Sequence, residues 1–238
     1  MDFWEVRDLK FDLEILANLI DKYNIPCETT QIYNLIGKFY NLENFQYQLE
    51  NIVFKVQNKI SGSQPDMDEY TVVLNNTLYS KPEKCIIIDN IEEYLFEINI
   101  DGYVLEDDNY LKSCWHLDKH IESKDDSDGI PKFVHPSYHF QFGGEYIEEC
   151  DKGELGILAN PRIPHPPMDI FLGFNFIINN FFNRKDYNFV NELLSDEDYL
   201  TIIRKAQERL WKPYFKAFEF SCLQGDFTID RVFPLYIN

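Results

Sequence analysis

The stretch that decides the fold runs from residue 94 to residue 105 and reads YLFEINIDGYVL. Apolar residues occupy every second position, which is the period of a β-strand with one buried face. The residues of that face are Tyr94, Phe96, Ile98 and Ile100. Asp101-Gly102 is typical of a tight hairpin turn that needs positive φ, and Tyr103 to Leu105 would then begin the returning strand. The stretch therefore predicts a β-hairpin with one apolar face.

Short runs rich in β-branched and aromatic residues lie on both sides of this stretch. They are Tyr70 to Leu74, Cys85 to Ile88, Tyr110 to Leu117, Phe133 to Phe142 and Glu154 to Leu158. Consecutive strands joined by short turns usually pair as neighbours, and Gly143-Gly144 is one such turn. The middle of the chain therefore predicts a mostly antiparallel sheet with meander topology.

The first third of the chain has a helical period in place of the alternating one. The apolar stripe of a first helix is Val6, Leu9, Leu13, Leu16 and Ile20, and its spacings of three and four are helical. Thr30 is a candidate cap for a short second helix that ends near Phe39. A third helix is predicted from about Glu43. Its apolar residues are Phe45, Leu49, Ile52, Val53, Val56 and Ile60.

A change of composition divides the chain after these helices. Ser61 to Asp66 has the residues of a flexible linker. We therefore expect a helical N-terminal segment, residues 1–62, followed by an α+β core domain, residues 66–238.

The last third of the chain is predicted to be a loop followed by helices. Residues 160–167 contain too many prolines for a strand interior or a helix, which predicts a stiff, extended loop. A helix is expected from one of the last two prolines of this loop to about Phe182. Ser195 to Asp198 has the form of a capping box and opens a final helix that runs to about Phe220. The fold class is therefore α+β, with the C-terminal helices packed on the sheet.

Charge and cysteine usage restrict the compartment and the partners. The formal net charge is -19, which repels nucleic acid unless a basic face is segregated, and suits a basic protein partner. We expect a protein partner or a homo-oligomer. The 5 cysteines include no Cys-x-x-Cys pair, which is typical of reduced thiols in a cytoplasmic protein. The most apolar stretch, Ile170 to Phe182, is too short to span a bilayer of about 30 Å. We therefore predict a cytoplasmic protein without membrane association.

The 5 histidines all lie within residues 116–165. His116 with His120, and His135 with His139, have the spacing of two zinc ligands on a helix. A proline inside the second pair and its aromatic neighbours favour a strand, on which residues four apart are about 13 Å from each other. Neither pair can then bind one ion. The sequence therefore predicts neither a metal ligand nor a cofactor, although a divalent metal stays open as an alternative.

On strands, the same residues predict a shared polar face. In the first strand Lys112, Cys114, His116 and Asp118 have one parity, and in the second His135, Ser137, His139 and Gln141 do. If the two strands are neighbours, their histidines lie on the same side of the sheet. We therefore take His116, His135 and His139 as candidate catalytic residues. Lys112 and Gln141 are candidate substrate-binding residues.

Arg162 and His165 complete the candidate site from the stiff loop. This loop leads into a helix N-terminus, where free N–H groups and the helix dipole favour anions. Arg162 is a permanently charged fork for phosphate or carboxylate, and His165 titrates near neutral pH. One histidine would act as base and another as acid, with Arg162 and Lys112 on the developing charge. This layout would suit metal-independent phosphodiester or phosphoryl chemistry, although the spacing is not diagnostic of one reaction.

Each of these residues also has a structural interpretation. His116 is equally explained as a hydrogen-bonded sheet residue, and Arg162 as the partner of Glu148 or Glu154. Asp169 is typical of a residue that stabilises a helix N-terminus. The basic stripe of the last helix, Lys205, Arg209, Lys212 and Lys216, is more simply a solvated face than a track for phosphates.

Two motifs carry a resemblance to a known family. His135-Pro136-Ser137-Tyr138-His139, and Pro161 to Asp169, resemble a conserved bacterial family of unknown function associated with mobile-element and defence loci. The similarity covers about residues 94–182. The strands with several histidines are also similar to those of small bacterial toxin proteins. The resemblance implies an accessory, anti-phage defence or toxin-like role and no particular catalytic residue.

These observations lead to three function hypotheses. The first is a cytoplasmic bacterial defence or toxin-type protein with a His/Arg site, a nuclease or hydrolase that acts on RNA or a nucleotide. The second is a non-enzymatic acidic interaction protein, an inhibitor or complex subunit, whose histidines are structural. The third is a metal-dependent hydrolase that uses His and Asp.

Overall fold

The computed structural model of the chain describes residues 5–39, 45–57, 67–80, 89, 91–106, 108–119, 136–151, 153 and 162–216. Within these residues the helices are α1 (Val6–Lys22), α2 (Thr30–Lys38), α3 (Ile170–Phe181), α4 (Asn188–Leu193) and α5 (Glu197–Lys216). The strands are β1 (Gln46–Val56), β2 (Glu69–Ser80), β3 (Ile91–Val104), β4 (Asn109–Lys119), β5 (Tyr138–Phe142) and β6 (Ile163–Pro164). The α+β class is confirmed.

The strands form one sheet in the order β1-β2-β3-β4-β5-β6, and every neighbouring pair is antiparallel. Buried apolar residues of the helices and of one sheet face form a single core. For example, the rings of Phe54 in β1 and Phe174 in α3 are 5.5 Å apart between centroids. We call the opposite side, turned away from the helices, the polar face. The predicted meander with C-terminal helices packed on it is confirmed.

Strand β3 has the predicted apolar face, but its predicted hairpin turn is wrong. Asp101 and Gly102 lie inside the strand, and the chain turns only after Val104, with Asp108 at φ 49°. Gly102 is explained by a close approach, because a Cβ there would lie 1.9 Å from the Sδ atom of Met67. The glycine makes room for a neighbouring side chain and does not provide a turn.

Helices α1 and α2 lie where the sequence predicts them, but the predicted third helix is wrong. Residues 46–56 form strand β1, whose pairing with β2 is interrupted by a bulge between Leu49 and Ile52. The bulge changes the spacing of buried residues from two to three at that point. Since a spacing of three is also typical of a helix, one bulged strand has the apolar pattern of a helical stripe.

The region of the predicted linker joins two strands of the same sheet. Ser61 to Asp66 lies outside the described residues, and β1, which precedes it, pairs with β2, which follows it. Three further sequence predictions also fall outside the described residues. They are the strands at Cys85 to Ile88 and Glu154 to Leu158, and the part of the last helix beyond Lys216.

Helix α3 begins later than predicted. Pro166 and Pro167 are not helical, and the helix begins at Ile170. A residue that precedes proline disfavours the helical conformation, which keeps the chain extended up to the second proline. Asp169 caps the helix by accepting a hydrogen bond from the N–H of Leu172 at 3.0 Å, as expected for a helix-stabilising residue.

The basic stripe of α5 is solvated only in part, with Lys212 exposed. Arg209 donates to the carboxylate of Asp169, and both side chains are buried. Lys205 donates to the buried carboxylate of Asp12 at 2.6 Å, and Lys212 pairs with Glu208 one turn away. The prediction of a solvated face is wrong for Lys205 and Arg209, because these side chains face the carboxylates of Asp12 and Asp169. None of the described helices is long and apolar enough to cross a membrane.

Candidate functional site

The candidate site lies on the polar face, where β4 and β5 run side by side. His116 of β4 is paired with Gln141 of β5, and Asp118 is paired with His139. Directly opposite residues of an antiparallel pair project to the same side, so these four residues share one face. The predicted common face of His116 and His139 is confirmed. His135, the third strand histidine in the prediction, lies outside the described residues.

His116 is held between two hydrogen-bond acceptors. Its Nδ1 is 2.6 Å from the carbonyl oxygen of Gly143, and its Nε2 is 3.1 Å from Oδ2 of Asp118. Both acceptors are satisfied only when each ring nitrogen carries a proton, so the site favours the imidazolium form. The hydrogen bond to Asp118 is accordingly the main cause that raises the pKa of His116, against the opposing effect of burial.

Asp118 is the exposed member of the cluster. Its carboxylate Oδ2 is also 4.0 Å from Nε2 of His139, so one carboxylate lies between two imidazole rings. The side chain of Asp118 is 42% exposed, whereas those of His116 and His139 are 15% and 7% exposed. A ligand that reaches this cluster from solvent therefore meets Asp118 first.

The ring of His139 is oriented by the main chain. Its Nδ1 is 3.3 Å from the carbonyl oxygen of Pro136, to which only a protonated nitrogen donates. In the neutral ring this contact leaves the lone pair on Nε2, the nitrogen that faces Asp118. In that form Nε2 of His139 can accept a proton.

The turn after β5 brings the Gly143 carbonyl to His116. Gly143 and Gly144 both have positive φ, 108° and 136°, which confirms the predicted glycine turn. A Cβ at Gly144 would lie 3.4 Å from Nδ1 of His116 and 3.3 Å from Sγ of Cys114. Side chains other than glycine are therefore strained and crowded here, and the glycines allow the turn to approach the ring.

A polar network borders the cluster on the β3 side. The carboxylate of Glu97 accepts hydrogen bonds from the side-chain amides of Asn75 and Asn99, at 3.0 and 2.9 Å. The thiol of Cys114 lies 3.8 Å from the same carboxylate. Burial raises the pKa of Cys114 to about 12, so the thiol stays protonated at neutral pH and is a poor nucleophile. The reactive groups are therefore the histidines and Asp118.

The predicted substrate-binding residues are only partly brought to this cluster. Gln141 is opposite His116. Lys112 lies on the same face, but it is four residues from His116 along β4, a distance of about 13 Å. Its ammonium is 4.5 Å from the ring centre of Tyr146, whose hydroxyl donates to Asp101. Lys112 therefore helps to hold the turn after β5.

Arg162 and His165 separate onto different sides of the sheet. Arg162 directly precedes β6 and has the parity of Pro164, which is the partner of His139. The ring of His165 is 5.8 Å from that of Phe140 and 6.5 Å from that of Trp211 in α5, on the helix side. Burial lowers the pKa of His165, so it stays neutral at neutral pH. The structure therefore does not bring His165 to His116 and His139.

The described residues do not form a metal centre. Among the described residues, no group of three or more His, Cys, Asp and Glu side chains is arranged to hold a metal ion. The carboxylate between the two histidines is instead arranged for proton transfer and for holding charge.

Asp118 is the residue of this cluster that was not a candidate site residue in the sequence. Its parity placed it beside His116, but parity alone does not give the distances that make it the bridge between two rings. The contribution of Gly143 was missed as well, because a main-chain carbonyl has no signal in the residue types.

Comparison with known proteins adds no family to this description. No protein-family model matches the chain, and no curated protein and no solved structure matches it either. The resemblance to a defence-associated bacterial family therefore stays a prediction.

Proposed function

We propose that the chain is a hydrolase that cleaves a phosphodiester or phosphoryl bond of RNA or a nucleotide by acid–base catalysis without a metal. One observation carries the proposal: Oδ2 of Asp118 is 3.1 Å from Nε2 of His116 and 4.0 Å from Nε2 of His139. Two imidazoles beside one carboxylate are groups that can act as the acid and the base of such a reaction.

Each residue has a definite role in this proposal. His139 accepts the proton of the attacking hydroxyl or water at Nε2, and His116 gives its Nε2 proton to the leaving oxygen. Asp118 orients both rings and stabilises the protonated form of His116 before the substrate binds. Arg162 supplies a guanidinium for the phosphoryl oxygens, since it precedes β6 with the parity of the residue opposite His139.

The charge of the chain favours a small substrate over a long one. A net charge of -19 repels an extended polyanion, whereas a nucleotide or the end of a short RNA strand carries few phosphates. The reduced thiols of Cys27 and Cys114 support a cytoplasmic location. The sequence resemblance supports a bacterial defence or toxin-type role, in which the acidic surface would bind a basic protein partner.

The test uses three single histidine substitutions in the full chain. His116→Asn and His139→Gln each remove one proposed proton carrier, and His165→Gln removes a histidine on the other side of the sheet. With excess chelator and a set of ribonucleotides, cyclic nucleotides and short RNAs, we expect losses of about 100-fold or more for the first two. His165→Gln should retain at least about half the wild-type rate, because His165 does not reach the site.

The same series decides against the proposal under two outcomes. If the wild-type chain cleaves none of these substrates in chelator, there is no metal-independent hydrolase. If His165→Gln loses as much activity as His139→Gln, the activity does not depend on the polar-face pair. Melting temperatures of all variants separate loss of activity from loss of folding.

A second candidate is the acidic interaction protein with structural histidines. The burial of both rings, and their contacts with the carbonyl oxygens of Gly143 and Pro136, favour it, since such contacts are typical of structural histidines. This function predicts that His139→Gln lowers the melting temperature while the wild-type chain has no hydrolase activity.

A further inference from the structure

A groove of about 550 Å³ lies at the opposite edge of the sheet from the histidine cluster, beside β1. One wall is formed by α2, with Gln31, Asn34 and Lys38, and the floor includes Gln48 and Glu50 of β1. None of the described residues that line it belongs to the His116–Asp118–His139 cluster. The groove is therefore a different site from that of the proposed hydrolase.

The second half of the β1 edge already has a strand-like partner. The N–H of Glu28 donates to the carbonyl of Val53, and the N–H of Lys55 donates to the carbonyl of Pro26, each at 2.9 Å. Residues 26–28 thus lie beside the end of β1 as an added strand would. An extended chain can therefore pair with the outer edge of β1 in the plane of the sheet.

The first half of the same edge directs main-chain groups into the groove. The N–H of Ser80 donates to the carbonyl of Phe45, which places Phe45 in a hydrogen-bonded pair with β2. Because such pairs alternate along an antiparallel ladder, the N–H and C=O groups of Gln46 and Gln48 face away from β2. In the part of the chain that the structure describes, no residue forms a hydrogen bond with these outward groups.

We propose that this groove binds an extended, basic peptide segment of a partner protein, which adds to Gln46–Glu50 as a short antiparallel or parallel strand. Its main chain would pair with the outward groups of Gln46 and Gln48, as residues 26–28 pair with the rest of β1. A stretch of five strand residues is about 17 Å long, so the segment needs about five residues. The amides of Gln31 and Asn34 lie on the other wall and are available for its side chains.

Charge selects a basic segment over a second copy of the chain. The charged residues among the described lining are Glu50 and Glu93 against Lys38, so the groove itself is acidic. The net charge of -19 also opposes the approach of an identical subunit. Lysine or arginine side chains on the incoming strand would be attracted by the acidic groove and by the negative charge of the whole chain.

The test uses a capped peptide, acetyl-Thr-Lys-Val-Lys-Val-Thr-amide, and the full chain labelled with ¹⁵N. We expect chemical-shift changes of the backbone amides in Gln46–Glu50 and in α2. An analogue of the peptide with alternate amides N-methylated keeps the charge but lacks the ladder hydrogen bonds. It should bind at least about tenfold more weakly, since one such bond is worth about 1 kcal/mol.

Protein variants give an independent comparison. Gln48→Pro removes an outward N–H that is not needed for pairing with β2, so the sheet should persist while binding falls. Gln48→Thr keeps the N–H and should bind like the wild type. Glu50→Gln should weaken binding, whereas Asp186→Asn, which removes a carboxylate between α3 and α4 that does not line the groove, should not.

Three results would overturn the proposal. The first is that the peptide causes no shifts in Gln46–Glu50. The second is equal binding of the N-methylated and unmethylated peptides to the wild-type chain, which would show charge attraction without strand addition. The third is a concentration-dependent dimer, seen by sedimentation and abolished by Gln48→Pro, which would assign the edge to a second copy.

Discussion

At the scale of single residues, the pKa values of His116 and His165 are shifted in opposite directions from that of an ordinary histidine. Asp118 and the Gly143 carbonyl stabilise the protonated ring of His116 and raise its pKa, while burial among Phe140 and Trp211 lowers the pKa of His165. His116 therefore keeps its proton to higher pH than an ordinary histidine, and His165 loses its proton at lower pH. Only the first carries positive charge into an acidic polar face.

Replacement of Asp118 by Asn should lower the pKa of His116, because the largest cause of its increase is the hydrogen bond to that carboxylate. The measurement is a titration of the histidine ring protons by NMR in the wild-type chain and in Asp118→Asn. The pKa of His165 should not change, which makes it an internal control. An unchanged pKa of His116 would show that Asp118 does not hold its proton.

The same contact predicts how stability depends on pH. The folded pKa of His116 is raised, so its contribution to stability is complete below the unfolded value, about 6.5, and is lost as pH rises through the folded pKa. The difference in free energy of unfolding between wild type and Asp118→Asn should therefore be larger at pH 6 than at pH 9. Equal differences at the two pH values would contradict the contact.

At the scale of elements, the distance between α3 and the sheet depends on Gly173. A Cβ there would lie 2.7 Å from Cε2 of Phe96 and 3.1 Å from Cδ2 of Leu74, and both of these side chains are fully buried. Neither can move into solvent, so a methyl group must push the helix away from the sheet.

Gly173→Ala should therefore destabilise the fold by about 1–3 kcal/mol, the usual range for overpacking a core. Gly37→Ala in α2 is the matched control, because nothing lies within 4 Å of the position of its Cβ. It should be neutral or stabilise by up to about 1 kcal/mol through helix propensity. Chemical denaturation of both variants measures the difference, and a Gly173→Ala chain as stable as Gly37→Ala would show that α3 packs less closely.

Elements with one uninterrupted period were predictable from sequence, and interrupted ones were not. Tyr94 to Ile100 alternate without a break and gave the correct strand, and α1 has an unbroken helical stripe. β1 was misassigned because its bulge between Leu49 and Ile52 imitates helical spacing. Gly102 was misassigned because a glycine that admits the Met67 side chain has the same residue type as a glycine in a turn.

At the scale of the whole molecule, pairing between distant segments decides which candidate residues meet. Parity predicted that His116 and His139 share a face, since alternation needs only the two strands to be neighbours. The prediction that the proline-rich loop brings His165 to the same site was wrong, because the pairing of Pro164 in β6 with His139 in β5 turns the next residue to the helix side. Arg209 was taken for a surface residue because its buried partner, Asp169, lies forty positions earlier in the chain.

We claim above all that His116 and His139 act together, as the acid and the base of one reaction, on the polar face. The most direct test measures phosphodiester or phosphoryl hydrolysis in chelator by His116→Asn, His139→Gln and the double variant. If the two histidines are the acid and base of one step, the double variant should lose no more activity than the worse single variant, because each loss already removes the joint step. Losses that multiply, or a wild-type rate in either single variant, would contradict the claim.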